Sequence, residues 1–301
     1  MILKTFITFL LFMGCYNILI TKFSTPNASQ NQNQDNLIKA QHYMFSNHTP
    51  KNIIVGTSLS CHIKSDSLKD FFNLAFNGSS IYDGLNVIVN SSKYPKIVYI
   101  ESNLYLNNKS VQLSNQLYNF FPYYSSKIFP IFRIVNQPIG KLIYLTNNIG
   151  NEFVISHNNF MEKLRTKINY EFPSNIKSLP TQESVNIFNI MLKEQKKNYS
   201  KIPNLYKIKR KTKELKKIIK TLKLNGVKVV FFEMPINSAL VNLPLSKTIR
   251  QKLYSSLKDE VYFLDQDYSK YVTSDGIHLN EQESIKYTHF FKKQIKSACS
   301  K

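Results

Sequence analysis

Residues 49–301 predict an α/β domain, a mainly parallel sheet with helices on both faces. Three observations predict it. Short β-branched apolar runs recur along the chain, each ending in Gly, Pro or a polar residue. The runs are apolar throughout rather than alternating, as strands covered on both faces are. Segments with apolar residues at helical spacing lie between them, the alternation that builds a parallel sheet.

The first run is Asn52-Ile53-Ile54-Val55, closed by Gly56. The second covers Asp70 to Phe76 and leads into Asn77-Gly78-Ser79-Ser80. Residues 81–91 read as a helix and Lys96 to Glu101 as a third strand. Residues 105–205 carry little Gly punctuation and several Phe/Tyr-rich pieces, such as Phe120-Phe121-Pro122-Tyr123-Tyr124, and read as a mainly helical insertion. Over 206–224, Leu215, Ile218, Ile219 and Leu222 fall at helical spacing among lysines, and Asn225-Gly226 stops that helix. Val227 to Met234, ending at Pro235, is a strong strand signal. A helix over 244–258, a short strand over Val261 to Leu264, a loop to Asn280 and a last helix over 281–297 complete the domain.

The N-terminus is organised differently. Lys4 precedes an almost wholly apolar run from Thr5 to Ile20 with no A-x-A-like cleavage site. Residues 1–22 are therefore expected to form an uncleaved signal anchor, a transmembrane helix that leaves the body outside the cytoplasm. Lipidation at Cys15, within Phe12-Met13-Gly14-Cys15, and a cleaved signal peptide stay open as alternatives. Residues 23–48 are polar and low in complexity, the composition of a flexible stalk.

At 301 residues and 43% hydrophobic, the chain can bury a core for one such domain. Its net charge of +21 comes almost wholly from Lys, in a chain also rich in Asn and Ile. This reads first as composition and second as attraction to an anionic surface or polymer. No nucleic-acid motif is present and Arg is scarce, so nucleic acid is not an expected partner. The three cysteines, Cys15, Cys61 and Cys299, have no metal-ligand spacing, and pairing of Cys61 with Cys299 stays open.

In open parallel sheets, ligands gather at the carboxyl ends of the strands. Ser58, in Val55-Gly56-Thr57-Ser58, follows the first strand at a tight turn that can point its hydroxyl into such a crevice. The same residues can equally make a turn with a helix cap. Asp275 and His278, in Ser274-Asp275-Gly276-Ile277-His278-Leu279-Asn280, can place an imidazole beside the carboxylate that orients it. They can also be an Asp-Gly turn with an incidental His before a helix cap at Asn280. Gly78 and Asn103, each after a strand, can supply a backbone N–H and a side-chain amide to an oxyanion. His62 reads as a surface or packed residue, and Glu233 as structural.

The phrases Ile-Ile-Val-Gly-Thr-Ser, Asn-Leu-Ala-Phe-Asn-Gly-Ser-Ser and Asp-Gly-Ile-His-Leu-Asn resemble successive blocks of the SGNH/GDSL hydrolases. They are particularly similar to the membrane-attached branch associated with bacterial polymer modification, alginate O-acetylation and teichoic acid D-alanylation among them. The resemblance spans about 50–104 and 226–298. Thr57 stands where the eponymous motif has Asp, and the third block reads Glu101-Ser102-Asn103 rather than Gly-x-Asn-Asp. The resemblance implies a flavodoxin-like three-layer α/β/α sandwich. It implies Ser58 as nucleophile, His278 as base and Asp275 as its orienter, with Ser58, Gly78 and Asn103 as oxyanion donors.

The expected activity is that of an extracytoplasmic O-acyltransferase or acyl esterase acting on a cell-surface polysaccharide or similar polymer through an acyl-enzyme. No metal or organic cofactor is implied. The expected partners are an acyl donor, such as a membrane acyl-donating protein, and the polymer acceptor. The alternative is a non-catalytic polymer-binding or scaffold protein of a cell-envelope modification system.

Overall fold

A computed structural model describes residues 1–22, 31–138, 141, 182–267 and 270–299. The chain divides into two compact units, one of residues 1–41 and 116–181, the other of residues 42–115 and 182–301.

The larger unit is α/β. Five strands, β1 (Asn52–Val55), β2 (Phe71–Asn73), β3 (Ile97–Glu101), β4 (Lys228–Phe232) and β5 (Tyr262–Phe263), form one sheet in the order β2-β1-β3-β4-β5. Every pairing is parallel. This is the doubly wound order whose topological switch point lies between β1 and β3. There Val55 pairs with Ile100, so the chain leaves both strands side by side, at Gly56 and at Glu101.

The strands are apolar on both sides because both sides are covered. On one face Ile54, Tyr99, Val230 and Phe232 pack against Tyr287, Phe291 and Ile295 of the last helix, α10 (Glu281–Cys299). The Phe291 ring stands 5.5 Å from Tyr99 and 5.1 Å from Phe232, and it is fully buried. Burial of one such side chain contributes about 1.5–3 kcal/mol. On the other face lies α3 (Ile81–Ser91). A side chain at Gly84 would come within 2.8 Å of the Leu74 carbonyl and 2.9 Å of Val55 Cγ1, so glycine is what lets α3 sit against β1. Tyr82 of α3 donates to the Lys211 carbonyl at 3.1 Å, tying it to α7 (Leu205–Leu224). These layers are compatible with a three-layer sandwich.

The helix boundaries follow local chemistry. At the start of α3 the Ser80 amide donates to Asp83 Oδ2 at 2.8 Å. At the end of α7, Gly226 takes φ +75°, Gly226 N donates to the Lys223 carbonyl and Val227 N to the Leu222 carbonyl, both at 3.0 Å. That is the paired bonding of a Schellman stop. The lysines of α7 are not all solvated: Lys211 is buried, 3.1 Å from Glu214 and 4.1 Å from the centre of the Tyr82 ring.

One expectation for the N-terminal part changes. Residues 32–45, expected in a flexible stalk, form α2 (Gln32–Phe45), and Leu37, Ala40, Gln41 and Met44 are buried on one stripe of it. Polar composition concealed an i, i+3, i+4, i+7 pattern because Gln41 occupies one of its inward positions. Residues 23–30 of the expected stalk lie outside the described residues. Residues 2–22 do form a helix, α1 (Ile2–Lys22), but among the described residues no helix is long and apolar enough to cross a membrane.

The smaller unit joins α1 to α5 (Phe120–Ile128) and the short 3-10 turns that follow it. Tyr16 donates to the Asn136 carbonyl at 2.7 Å, and the Ile134 amide to Gln41 Oε1 at 2.8 Å. Of the expected insertion, α4 (Val111–Tyr118), α5 and α6 (Gln182–Tyr199) are helical, while residues 142–181 lie outside the described residues. Helix α6 belongs to the α/β unit. Two helices remain there, α8 (Ser238–Val241) and α9 (Pro244–Leu257).

Candidate active site

The site lies at the carboxyl ends of β1 and β3, where the strand order reverses. Ser58 Oγ is 2.8 Å from His278 Nε2, and His278 Nδ1 is 2.7 Å from Asp275 Oδ2. These residues are 220 and three positions apart in sequence, yet they form one continuous hydrogen-bonded chain. The carboxylate accepts from Nδ1–H, which fixes the tautomer and leaves Nε2 to accept from the serine hydroxyl. The triad is partly open: the His278 and Asp275 side chains keep 26% and 15% of their accessibility.

The Asp-x-x-His loop holds its own shape. Asp275 Oδ1 accepts from the Ile277 amide at 3.0 Å and the His278 amide at 2.8 Å, so the carboxylate that orients the ring also folds the backbone beneath it. Gly276 takes φ +100°, and its carbonyl accepts from the Asn237 amide at 2.9 Å. The loop is closed by Ser274 N donating to the His278 carbonyl at 2.8 Å and by a bridge between Thr273 and Leu279. Asn280 Oδ1 then caps α10 by accepting from the Glu283 amide. Burial raises the Asp275 carboxyl, but the His278 amide, the His278 ring and the Ile277 amide outweigh it, so it sits below the ordinary carboxylate range.

The turn that carries Ser58 is built differently, on Glu101, a residue not expected to take part in the site. Glu101, the last residue of β3, is fully buried. Its Oε2 accepts from the Thr57 amide at 2.9 Å, the Ser60 amide at 3.3 Å and the Ser60 hydroxyl at 2.7 Å. Its Oε1 accepts from the Thr57 hydroxyl at 2.8 Å. A Cβ at Gly56 would fall 2.7 Å from Glu101 Oε2 and 1.8 Å from Ser60 Oγ, so this contact requires glycine there. Burial pushes the Glu101 carboxyl up and these hydrogen bonds offset that only in part, leaving it above the ordinary range. The sequence shows a Gly closing one apolar strand and an acid closing another, but that the two strands are neighbours comes from their pairing.

Among the described residues, the amides of Ser58 and Gly78 donate to no protein acceptor, as oxyanion donors require. Gly78 takes φ +66° and is exposed. Asn103 has a structural contact as well. Its Nδ2 donates to the Met234 carbonyl at 2.9 Å and its Oδ1 accepts from the Met234 amide at 2.8 Å. The side chain clips the end of β3 to the segment after β4, and one Nδ2 hydrogen remains beyond that clip. Asn103 thus bridges two strand ends, and that remaining hydrogen is what it can offer in the expected donor role.

The neighbouring candidates fall outside the hydrogen-bonded chain of Ser58, His278 and Asp275. The His62 ring lies edge-on to His278 at 6.4 Å, but the serine hydroxyl meets His278. Glu233 receives Arg250 through two bonds of 2.8 and 2.7 Å and Gln266 at 3.2 Å, a structural anchorage. Cys61 Sγ donates to the Ala75 carbonyl at 3.1 Å, and the Cys299 side chain lies outside the described residues. No group of three or more His, Cys, Asp or Glu residues able to hold a metal ion occurs among the described residues. Neither a protein-family model nor a curated protein sequence matches this chain.

Proposed function

We propose that this chain is an extracytoplasmic serine O-acyltransferase or acyl esterase of the SGNH type, acting on a cell-surface polysaccharide or similar polymer. The observation that carries the reading is the unbroken Ser58–His278–Asp275 relay at 2.8 and 2.7 Å, set at the switch point of a parallel sheet. Two amides without protein acceptors, at Ser58 and Gly78, support it from the oxyanion side. The polymer acceptor, the acyl-donating partner and membrane attachment through residues 1–22 belong to the same proposal. They rest on the family resemblance and on the apolar N-terminal helix.

In this reading Ser58 Oγ attacks the acyl carbonyl carbon while its proton passes to His278 Nε2. The tetrahedral oxyanion is held by the amides of Ser58 and Gly78. The C–O bond to the leaving alcohol breaks, the alcohol takes the proton from Nε2, and an ester on Ser58 remains. A sugar hydroxyl or water then gives its proton to Nε2, attacks that ester and releases Ser58. Asp275 stabilises the imidazolium in both halves without itself taking the proton.

A fluorophosphonate probe tests the reading directly. The wild-type protein is expected to label at Ser58 and to turn over p-nitrophenyl acetate. Ser58→Ala and His278→Ala should each lose about 10⁶-fold in kcat while remaining folded. A folded wild-type sample that neither labels nor turns over would favour a scaffold or polymer-binding role instead.

A further inference from the structure

We infer that Glu101 is a positioning residue for the reaction: its buried carboxylate folds the turn from Thr57 to Ser60 and thereby holds the Ser58 hydroxyl on His278. The inference rests on Ser58 being the nucleophile. Ser58 itself makes no hydrogen bond to Glu101. The residues on either side of it do, Thr57 through its amide and hydroxyl and Ser60 through its amide and hydroxyl. One carboxylate thus grips the turn before and after the nucleophile, and the serine is carried at the bend.

The donor arithmetic favours an acceptor at this point. Two backbone N–H groups and two hydroxyls converge, and Thr57 and Ser60 are both buried, so none of the four can turn to water. A carboxylate offers about four lone-pair sites and matches that set. Removing it leaves buried donors without partners, which each cost about 1–3 kcal/mol. The turn must then rearrange to satisfy them. The Thr57 hydroxyl sits 3.3 Å from the Leu59 amide, and the Cys61 amide donates to the Thr57 carbonyl at 3.2 Å, so Thr57 carries the next residues with it. The Ser58 amide, which lies between the two amides that Glu101 takes up, donates to no protein acceptor and is held by the same turn. The same carboxylate therefore sets both the hydroxyl position and the oxyanion amide.

The position of Glu101 follows from the sheet. Val55 pairs with Ile100 in register, so the next residues, Gly56 and Glu101, lie together where the two chains part. Without a side chain at Gly56, Glu101 reaches under the turn.

Glu101→Ala, Glu101→Gln and Thr57→Val test this in the full-length chain. Displacing a reacting group by about 1 Å costs roughly 100-fold in rate. Glu101→Ala is therefore expected to lower kcat about 100-fold with KM within about twofold, the split that marks a loss confined to the transition state. Glu101→Gln should recover about tenfold or more of that loss, because its amide oxygen can stand at Oε2 and its NH₂ can donate to the Thr57 hydroxyl. Wild-type kcat in folded Glu101→Ala would overturn the inference, as would Glu101→Gln no better than alanine. Should the alanine variant fail to fold, Thr57→Val removes one donor at equal volume, with a fall in kcat expected and a wild-type kcat overturning the inference. Hydrogen exchange of the amides at residues 58–60 separates this from the nucleophile assignment. If wild type does not react with a fluorophosphonate, that assignment fails, while faster exchange in Glu101→Ala, or in Thr57→Val where the alanine variant does not fold, supports the Glu101 grip and unchanged exchange overturns it.

Discussion

The two loops that meet at Ser58 and His278 are stabilised in opposite ways. The Ser274–His278 loop is self-sufficient: Asp275 supplies both the ring's partner and the acceptor for two amides within three residues. The Thr57–Ser60 turn is dependent, shaped by a carboxylate from another strand. The difference teaches that a short motif can carry its geometry with it, whereas a nucleophile turn gets its geometry from whatever strand the topology places beside it. It also predicts that substitutions in the two loops fail differently.

Asp275→Asn makes the larger break. The substituted side chain would keep the Oδ1 acceptor for the Ile277 and His278 amides, so the loop should stay folded. Its amide would donate to Nδ1, move the ring proton to Nε2 and leave nothing to accept from Ser58. The expected fall in kcat is about 10⁴-fold. Thermal unfolding and amide exchange at residues 277 and 278 should stay close to wild type. A melted loop would show that the two functions of Asp275 cannot be separated, and a wild-type rate would show that the relay does not carry the proton.

The two carboxylates also predict opposite pH effects on stability. Asp275 sits below the ordinary range, so its contribution is present above the unfolded value of about 4 and is lost as pH falls through the folded value. Glu101 sits above it, so its contribution is present below the unfolded value, also about 4, and is lost as pH rises through the folded one. Denaturant midpoints across that range should therefore diverge in opposite directions. Relative to wild type, Asp275→Asn should lose ground as pH rises from acid and Glu101→Gln should gain it. Parallel curves for the two variants would remove the distinction.

The same contrast governs what could be read in the sequence. Asp275 and His278 were legible because their bonds are local. The parallel sheet was legible because strands covered on both faces must be apolar throughout, as Ile53 to Val55 and Val98 to Ile100 are. Glu101 was not legible as a support for Ser58, because its meaning depends on β1 and β3 being neighbours in one register, which no local pattern reports. Helix α2 was hidden for a related reason: Gln41 is buried by bonding to Ser126 and to the Ile134 amide, partners far along the chain. Composition reads such a residue as solvent-facing.

Asn103 offers the smallest and sharpest comparison, between a residue that serves the reaction and one that serves the scaffold. The sequence pattern puts it among the oxyanion donors, and the structure spends its amide on both backbone groups of Met234. Asn103→Ala removes two hydrogen bonds that join the ends of β3 and β4, each contributing about 1 kcal/mol. Unfolding should therefore shift to lower denaturant while kcat falls by less than about tenfold, against the roughly 100- to 1,000-fold lost with an oxyanion donor. A drop of that larger size at unchanged stability would return Asn103 to the oxyanion hole, through the hydrogen that the Met234 clip leaves over.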